Sequence, residues 1–283
     1  YLSEVIPHEE AKEYMKEYAE KSYGRKGQDI VQQNWNAIDR GIDGLEEVEV
    51  LPEWADLEVN EQIIEAAKPE FIKKIADPIN LMKGNELPVS SIIENGMVDG
   101  SFQHGTAHYE KRGIADEVPE WQPDMCIQCN QCAYVCPHAV IRPFLLDEDE
   151  MKKAPEGMPT IKALGRGMDG LEYKIQVSPL DCTGCSACVD VCPAPRGKAI
   201  VMKSTQSQIE RNEIEYTDYL FNNVSYKDKI LGKNTVKGSQ FAKPLFEFSG
   251  ACAGCGETPY IKLVTQLFGE RMIVANATGC SSI

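Results

Sequence analysis

The sequence predicts an α+β protein in which a duplicated, cysteine-rich module is flanked by two partial α/β domains. Three observations support this fold class. Eleven cysteines occur among the 283 residues, and all of them follow residue 125. Eight of them form two runs of identical spacing, with Cys182 lying 56 residues after Cys126. The flanking segments instead combine apolar residues at helical spacing with short apolar runs, which is typical of α/β folds.

Composition and charge exclude several classes of protein. The chain has 29 basic and 44 acidic residues, for a formal net charge of −15, whereas a nucleic-acid-binding protein needs a basic surface. It has no apolar stretch of the ~18 residues that a spanning helix requires. No basic-then-apolar segment opens the sequence, so we expect no secretory leader. We expect no nucleic-acid partner, no membrane and a cytoplasmic location. Because the sequence opens at Tyr1 and closes on Ser-Ser-Ile, we also expect a section of a longer protein.

Residues 1–55 are predicted to form two helices and, at Val48–Leu51, a short strand or an extended exit that is closed by Pro52. An independent helical hairpin would have too few apolar residues to be stable alone. We therefore predict the C-terminal part of an α/β domain. The two helix faces consist of Ala11, Tyr14, Met15 and Tyr18, and of Val31, Trp35, Ile38 and Ile42.

Residues 56–118 are predicted to form a small linking domain. Helical spacing connects Ile63, Ala67, Phe71 and Ile75, with Pro69 at the start of a helix. Beyond residue 80 the pattern is irregular, and turn signals that include Val118-Pro119 interrupt it. His104 and His108 are four residues apart, but no further ligand lies near them in the sequence. We interpret them as surface or packing residues.

Residues 119–230 contain the two cysteine runs. The first is Cys126-Ile-Gln-Cys129-Asn-Gln-Cys132-Ala-Tyr-Val-Cys136-Pro, and the second is Cys182-Thr-Gly-Cys185-Ser-Ala-Cys188-Val-Asp-Val-Cys192-Pro. This is the spacing of bacterial ferredoxins that bind two [4Fe–4S] clusters. The 45 residues between the runs exceed what a minimal ferredoxin needs, so we predict an insertion with Tyr173–Val177 as the returning strand.

The spacing also predicts which thiolates share a cluster. Three cysteines within seven residues surround one cube, whereas the fourth is carried away by the following helical turn and binds the other cube. The alternative is a pair of four-cysteine zinc sites, which usually consist of well-separated C-x-x-C pairs. We assign one cluster to Cys126, Cys129, Cys132 and Cys192, and the second to Cys136, Cys182, Cys185 and Cys188.

Residues 231–283 contain the remaining cysteines, Cys252, Cys255 and Cys280. A helix is predicted after them, with Thr258 as N-cap and Pro259 as first helical residue, followed by a strand at Met272–Ala275. Cys280 would then lie at the carboxyl end of that strand, where α/β sheets bind ligands. Two interpretations remain open from chemistry alone: a third metal site that lacks one ligand, or structural cysteines near a glycine-rich turn.

A set of stretches along the chain carries a family resemblance. They are Leu87–Ser90, Tyr109–Ala115, Val118–Trp121, Cys126–Cys132, Cys136–Ala139, Ile141–Pro143, Ser178–Cys185, Phe248–Tyr260 and Ala275–Ile283. Taken together they resemble the single-chain pyruvate:ferredoxin (flavodoxin) oxidoreductases. The resemblance covers the whole chain and is densest from residue 87 onward.

The resemblance implies a domain order, cofactors and partners. Residues 1–55 would end a coenzyme-A-proximal domain, 56–118 a linking domain, 119–230 a 2[4Fe–4S] ferredoxin-type domain, and 231–283 would begin a thiamine-diphosphate domain. Cys252, Cys255 and Cys280 would be three ligands of a third [4Fe–4S] cluster, and the fourth ligand would lie outside this sequence. Glu257 and Cys280 match positions that contact the thiamine cofactor, and Asn34 a position near coenzyme A. Magnesium, pyruvate, ferredoxin or flavodoxin and a second subunit are expected in the complete enzyme.

Two function classes compete at this point. The first is the electron-relay portion of a pyruvate:ferredoxin oxidoreductase. This chain alone would not catalyse the full reaction of that enzyme, because the Gly-Asp-Gly…Asn motif for the diphosphate is absent from the sequence. The second is an iron–sulfur electron-transfer module of another redox enzyme without thiamine chemistry. The cysteine runs fit both classes, whereas the Phe248–Tyr260 and Ala275–Ile283 stretches favour the first.

Overall fold

The computed structural model describes residues 5–56, 68–275 and 279. The chain forms two compact units, Tyr1–Ile64 and Glu65–Ile283. The first unit contains helices α1 (His8–Tyr23) and α2 (Gln28–Asp39). No described helix has both the length and the apolar character to cross a membrane. The second unit contains α3 (Asp77–Asn80), α4 (Val89–Glu94), β1 (Glu117–Trp121), α5 (Gln131–Val135), β2 (Ile141–Leu146), α6 (Glu148–Lys152), β3 (Ile161–Lys162), β4 (Glu172–Val177), α7 (Ala187–Asp190), β5 (Ile200–Ser204), α8 (Thr205–Glu210), α9 (Glu213–Asn223), α10 (Val236–Ser239) and α11 (Thr258–Phe268).

The apolar spacing predicts both helices of the first unit, although α2 ends at Asp39, before Ile42 of the predicted face. The two helices form an antiparallel pair, which the spacing does not predict. Trp35 Nε1 on α2 donates to the Lys16 carbonyl of α1 at 3.0 Å, and Lys16 Nζ pairs with Asp39 at 2.6 Å. Of the two alternatives predicted for Val48–Leu51, the strand is not observed, because these residues have no ladder partner in the described part of the chain. Val50 is 74% exposed. Its β-branched side chain does not by itself produce a strand, because no neighbouring strand is available to pair with it.

The described start of the second unit is a helix over residues 70–80 that contains a π turn at Ile72–Ala76. Pro69 directly precedes this helix, as its predicted role at a helix start requires. The turn buries Ile75 completely. The predicted helical positions Ile63 and Ala67 lie outside the described residues.

The sequence duplication gives the cysteine module two matching halves. Each half runs from a strand through a 3₁₀ turn, a cysteine loop and a short helix to a second strand. The turns, Pro123–Met125 and Pro179–Asp181, are 56 residues apart, like the cysteines. The halves interlock, since β1 pairs antiparallel with β5 and β2 pairs antiparallel with β4. The first strand of each half therefore lies beside the last strand of the other.

Strand β1 contains Pro119, although the Val118-Pro119 pair is predicted to be a turn signal. Pro119 lies opposite Met202 of β5 in the β1–β5 pair. This pair forms a two-stranded sheet, so β1 has one unpaired edge, and a proline that lacks an N–H is tolerated there. The returning strand predicted at Tyr173–Val177 is confirmed as β4.

Strand β2 is buried along its whole length, although its second residue is Arg142. The guanidinium carbon lies 4.2 Å from the centre of the Phe221 ring and 5.3 Å from that of Phe248. The group also donates to Tyr226 Oη at 2.9 Å and pairs with the Glu247 carboxylate. A buried cation needs such pairing to offset its lost hydration. Arg142 thus binds the segment around Glu247 to the cysteine module.

The insertion between the halves begins with helix α6, which has a capping box. Asp147 accepts hydrogen bonds from the Asp149 and Glu150 amides, and the Glu150 carboxylate accepts from the Asp147 amide. Lys227, which follows α9, pairs with Glu150. The acidic residues Asp147–Glu150 of the insertion therefore stabilise the start of a helix and a tertiary contact.

Residues 105–116 lie along the start of the second cysteine run. The Gly113 amide donates to the Leu180 carbonyl at 2.8 Å, and Lys111 Nζ lies 2.6 Å from Asp181 Oδ2. His108 Nδ1 lies 3.7 Å from Glu247 Oε1, so this histidine takes part in packing as expected. The linking segment and the residues after the module thus meet over one surface of the module.

Helix α11 begins at Thr258, and its N-cap is Glu257 rather than Thr258 as predicted. Pro259 stands in the first turn, where its missing N–H costs no hydrogen bond. The strand predicted at Met272–Ala275 is wrong, because these residues are extended without a ladder partner among the described residues. Ile273 is 98% exposed there.

Candidate metal centres

The first cysteine loop curls around the Cys126 thiol. Gln128 and Asn130 adopt left-handed backbone conformations, with φ of 57° and 63°. This curl turns the Gln128 amide toward Cys126 Sγ, at an N···S distance of 3.4 Å. Cys132 follows on helix α5, and Cys136 comes directly after that helix. Amides that point at thiolate sulfurs are a common feature of iron–sulfur loops, where they influence the potential.

The second loop repeats this geometry. Gly184 and Ser186 have φ of 68° and 63°, and the Gly184 amide lies 3.4 Å from Cys182 Sγ. Cys188 follows on helix α7, and Cys192 Sγ accepts from the Ala199 amide at 3.3 Å. Equal sequence spacing has therefore produced equal backbone conformations in both halves.

The thiols of the second run share a cavity with the last cysteine of the first run. Cys136, Cys182, Cys185 and Cys188 line this cavity, which we term the second cavity after the second run. Burial, opposed by the Gly184 amide, raises the pKa of Cys182 to about 12, and the neighbouring Cys136 and Cys185 thiols contribute to the rise. These four residues are the crossed set that the spacing predicts.

The other four thiols are also neighbours. Burial raises the pKa of Cys126, and the nearby thiols of Cys129 and Cys192 add to the rise, whereas the N–H groups of Trp121 and Gln128 beside the thiol lower it. Burial likewise raises the pKa of Cys132, with contributions from Cys126, from Cys188 of the other set and from Cys129. Buried thiols of this kind lose their protons to a bound metal, whose positive charge replaces them.

The donor sets fit iron–sulfur cubes in two further respects. The ligands are all thiols, as such clusters require. Trp121 Nε1 is buried beside Cys126, and His138 Nε2 is buried at the second cavity, and neither nitrogen has a well-formed hydrogen bond to a protein atom. In the described part of the chain, no three metal-binding side chains converge on a single point. Each ligand of a cube binds a different iron, so the thiols need not converge.

Two polar residues of the first loop hold it in place, and the sequence did not predict this role. The Gln128 side chain donates to the Lys162 carbonyl at 2.7 Å and accepts from the Leu164 amide at 2.8 Å. Asn130 accepts from Tyr173 Oη at 2.6 Å. Polar residues between the cysteines of a C-x-x-C run are the only sequence signal of this role, and they do not reveal the partners.

The third cysteine pair packs against the second cysteine run. Cys252 is exposed, and Cys255 lies at the start of α11, where hydrogen bonds from the Thr258 and Glu257 amides lower the pKa of its thiol. A Cβ placed on Gly254, which lies between them, would be 3.6 Å from Cys185 Cβ. His138 Nδ1, at the second cavity, lies 3.1 Å from the Ser249 carbonyl.

The remaining predicted site residues are placed differently. Cys280 lies outside the described residues. Glu257 is exposed beside the third cysteine pair. Asn34 is half-buried on α2, and its amide donates to the Ile30 carbonyl at 2.8 Å. His104 is exposed.

Comparisons with known proteins agree with this geometry. A family described as a 4Fe-4S dicluster domain matches residues 125–195, and an EKR domain of unknown function matches residues 58–115. The chain is 52% identical over 283 residues to pyruvate:ferredoxin oxidoreductase of Moorella thermoacetica. It is 50% identical over 282 residues to pyruvate-flavodoxin oxidoreductase of Klebsiella pneumoniae, and 51% identical over 283 residues to that of Enterobacter agglomerans. Each alignment covers 100% of this chain and 23–24% of the relative.

The fold and the cysteine geometry define an α+β protein with a ferredoxin-type 4Fe-4S dicluster domain. The chain matches, from end to end, a section of the pyruvate:ferredoxin and pyruvate-flavodoxin oxidoreductases, at about half of the aligned positions. It spans about a quarter of the length of these curated relatives.

Proposed function

We propose that this chain is the electron-relay section of a pyruvate:ferredoxin or pyruvate:flavodoxin oxidoreductase. Bound [4Fe–4S] clusters accept and release single electrons. Cys126, Cys129, Cys132 and Cys192 would hold one cluster, and Cys136, Cys182, Cys185 and Cys188 another. Cys252, Cys255 and Cys280 would belong to a third. The observation that carries the proposal is that the second cysteine run lies next to both of the other groups. It shares a cavity with Cys136 of the first run, and Gly254 of the third pair packs against Cys185.

The contacts of the second run favour one order of the relay. Gly254, between the cysteines of the third pair, lies against Cys185. Cys136, which lines the second cavity, is joined to Cys132 of the first set by helix α5. Electrons would therefore enter near Cys252 and Cys255, cross the cavity of the second run and leave from the first run.

The exit side carries positive charge, which favours an acidic carrier such as a ferredoxin or flavodoxin. Lys198 Nζ donates to the Cys192 carbonyl at 3.0 Å, and Arg196 reaches the Asp124 carbonyl at 3.4 Å. Lys162 is exposed beside the first loop, to which its carbonyl is bonded. Ile127 is 47% exposed at the loop itself. Local charge of this sign, in a chain of net charge −15, would orient the carrier.

The flanking segments complete the proposal by similarity. Residues 1–55 would adjoin coenzyme A near Asn34, and residues 56–118 would form the linking domain. Residues 231–283 would begin a domain that binds thiamine diphosphate and magnesium, with Glu257 and Cys280 at the thiamine. The complete enzyme would oxidise pyruvate to acetyl-coenzyme A as a homodimer in the cytoplasm. Unpaired cysteines throughout the described residues fit such a reducing compartment.

The decisive experiment is anaerobic reconstitution of the chain with iron and sulfide, followed by metal analysis. We expect about 8 iron and 8 sulfide per chain from the two ferredoxin-type sets. The matched control is Cys185→Ala, which should retain about 4 iron because it removes a ligand from one set alone. About two zinc per chain, without broad visible absorption, would contradict the proposal.

The thiamine-dependent function needs a separate test in the full-length protein. With pyruvate and coenzyme A, we expect reduction of an added ferredoxin or flavodoxin and about 12 iron per chain. A full-length protein that binds about 8 iron, and reduces neither carrier with pyruvate, would instead support an iron–sulfur module of another redox enzyme.

A further inference from the structure

A buried lysine of helix α11 reaches into the cysteine module. Lys262 is 2% exposed, and its Nζ donates to the carbonyls of Ala133, Tyr134 and Cys136. The Tyr134 and Cys136 contacts measure 3.0 and 3.2 Å. These carbonyls end helix α5 and begin the turn after it, where a cation is favoured by the free carbonyl groups.

The ammonium has no carboxylate partner in the described part of the chain. Lys262 belongs to no ion pair among the described residues, and the acidic groups that act on it there are the thiols of Cys136 and Cys132. Arg142 is also near, but Glu247 already pairs with it. A buried cation is stable only when nearby negative charge offsets its lost hydration. Thiolates are the negative groups available at this position.

The location of Lys262 joins all three cysteine groups. Cys132 and Cys136 belong to different cluster sets, so the ammonium lies between the two sites. The helix that carries Lys262 begins three residues after Cys255. One side chain therefore connects the helix beside the third pair to the backbone between the two ferredoxin-type clusters.

We propose that Lys262 is a positioning residue whose buried positive charge compensates the two ferredoxin-type clusters. The proposal rests on the assignment of Cys132 and Cys136 as cluster ligands. Reduction adds an electron to a cluster, and a nearby positive charge stabilises that state through a medium of low dielectric constant. Net charge around a cluster is one of the factors that set its potential. Lys262 should therefore raise the reduction potentials of both clusters.

The test is a redox titration of the reconstituted chain, followed by electron paramagnetic resonance, with three substitutions. Lys262→Met removes the charge and the donors, Lys262→Gln retains donors without charge, and Lys262→Arg retains the charge. We expect both neutral variants to shift the cluster potentials to more negative values, and Lys262→Arg to remain near wild type. Lys227→Met is the matched control, because Lys227 pairs with Glu150 and Asp147 in the insertion and should leave the potentials unchanged.

Each other outcome decides the proposal. Loss of iron in the neutral variants but not in Lys262→Arg would also support a requirement for the charge. Unchanged potentials in a neutral variant that retains its iron would overturn the proposal, as would loss of iron in all three variants, since packing rather than charge would then be needed. Failure of the proposed function is distinguishable, because it would appear in the wild-type iron content before any potential is compared.

Discussion

Residues with positive φ recur in the cysteine loops at the same offset as the cysteines themselves. Gln128 and Gly184 are equivalent positions, and each directs its amide at a thiol sulfur two residues earlier. Gln128 tolerates the left-handed conformation because its side chain is fixed by two hydrogen bonds to the β3 region. Gly184 has a different constraint: a Cβ there would lie 3.1 Å from the Glu117 carbonyl oxygen and 3.3 Å from Ala115 Cβ.

Gly184→Ala should therefore destabilise the module by more than the cost of its backbone conformation. A non-glycine residue in the left-handed region costs about 1–2 kcal/mol, and crowding against the Glu117 backbone adds to this. We expect a loss of about 2–3 kcal/mol in the free energy of unfolding, measured by anaerobic urea titration. Gly170→Ala is the control, with φ of 78° and open space around it, and should lose only the backbone cost. Equal losses would show that the Glu117 contact is unimportant.

The crossed ligand sets can be tested by combining substitutions. Cys136→Ala should leave about 4 iron per chain, because one cluster remains intact. Adding Cys185→Ala should cause no further loss, since both residues belong to the same set. Adding Cys129→Ala instead should remove the second cluster as well.

The readout is iron per chain after anaerobic reconstitution, with Cys192→Ala as the mirrored control. Cys192→Ala should behave in the opposite way. Adding Cys129→Ala to it should cause no further loss of iron, whereas adding Cys185→Ala should remove the second cluster as well. If Cys136→Ala and Cys129→Ala together retain about 4 iron, each run binds its own cluster and the crossed assignment is wrong.

At the level of elements, prediction succeeded where local pattern alone decides the structure. Helices α1 and α2 follow from apolar spacing, and β4 follows from a short run after a glycine-rich loop. The strand predicted at Met272–Ala275, and the strand alternative for Val48–Leu51, are not observed because a strand also needs a neighbouring strand, which sequence periodicity does not report. β1 was not predicted for the opposite reason. Its proline is typical of a turn, and only the pairing with β5 makes this segment a strand.

The start of helix α6 should make stability dependent on acid. Burial alone would raise the pKa of Glu150, but hydrogen bonds from Lys227, the Asp147 amide and Ser225 outweigh it and lower that pKa to about 2. The stabilisation is therefore present above the unfolded pKa of ~4.3 and is lost as pH falls toward about 2. We expect Glu150→Gln to lower the free energy of unfolding by on the order of 1–2 kcal/mol at pH 7.

The measurement is the difference in unfolding free energy between wild type and Glu150→Gln from pH 7 to pH 3. This difference should narrow below about pH 4.5, because the Glu150 carboxylate of the unfolded wild-type chain then takes up a proton while that of the folded chain stays ionised. Glu148→Gln serves as the control, since its carboxylate is 85% exposed and pairs only with Lys152 on the helix surface. A difference that stays constant down to pH 3 would rule out Glu150 as the acid-sensitive group.

At the level of the whole molecule, the cysteine spacing predicted the candidate sites but not what surrounds them. The shared cavity of Cys136 with the second run follows from a spacing pattern that repeats along the chain. Arg142, His138 and Lys262 were not predicted, because each has a partner that lies more than 100 residues away in sequence, and up to 129 residues for Lys262. Nothing in a single sequence reports such contacts, and a buried lysine looks the same as an exposed one.

These long-range contacts predict unequal effects of shortening the chain at its two ends. The unit Glu65–Ile283 contains all the candidate ligands and the groups that support them. A chain of residues 65–283 should therefore retain about 8 iron after reconstitution. A chain of residues 1–245 would keep both four-cysteine runs but lose Glu247, Phe248 and Lys262. Arg142 would then be a buried cation without its partner, which costs about 3–5 kcal/mol.

The measurement is the rate of iron release to a chelator under anaerobic conditions. We expect residues 65–283 to release iron as slowly as the whole chain, and residues 1–245 to release it at least tenfold faster, since 1.4 kcal/mol already corresponds to a factor of ten. Glu247→Gln in the whole chain is the matched point variant. It keeps the length and the Phe248 ring but removes the charge opposite Arg142, so its rate should lie between the other two. Equal release from the chain of residues 1–245 and the whole chain would mean that the cysteine module holds its clusters without the segment after it. The Arg142–Glu247 pair would then stabilise only the packing of that segment.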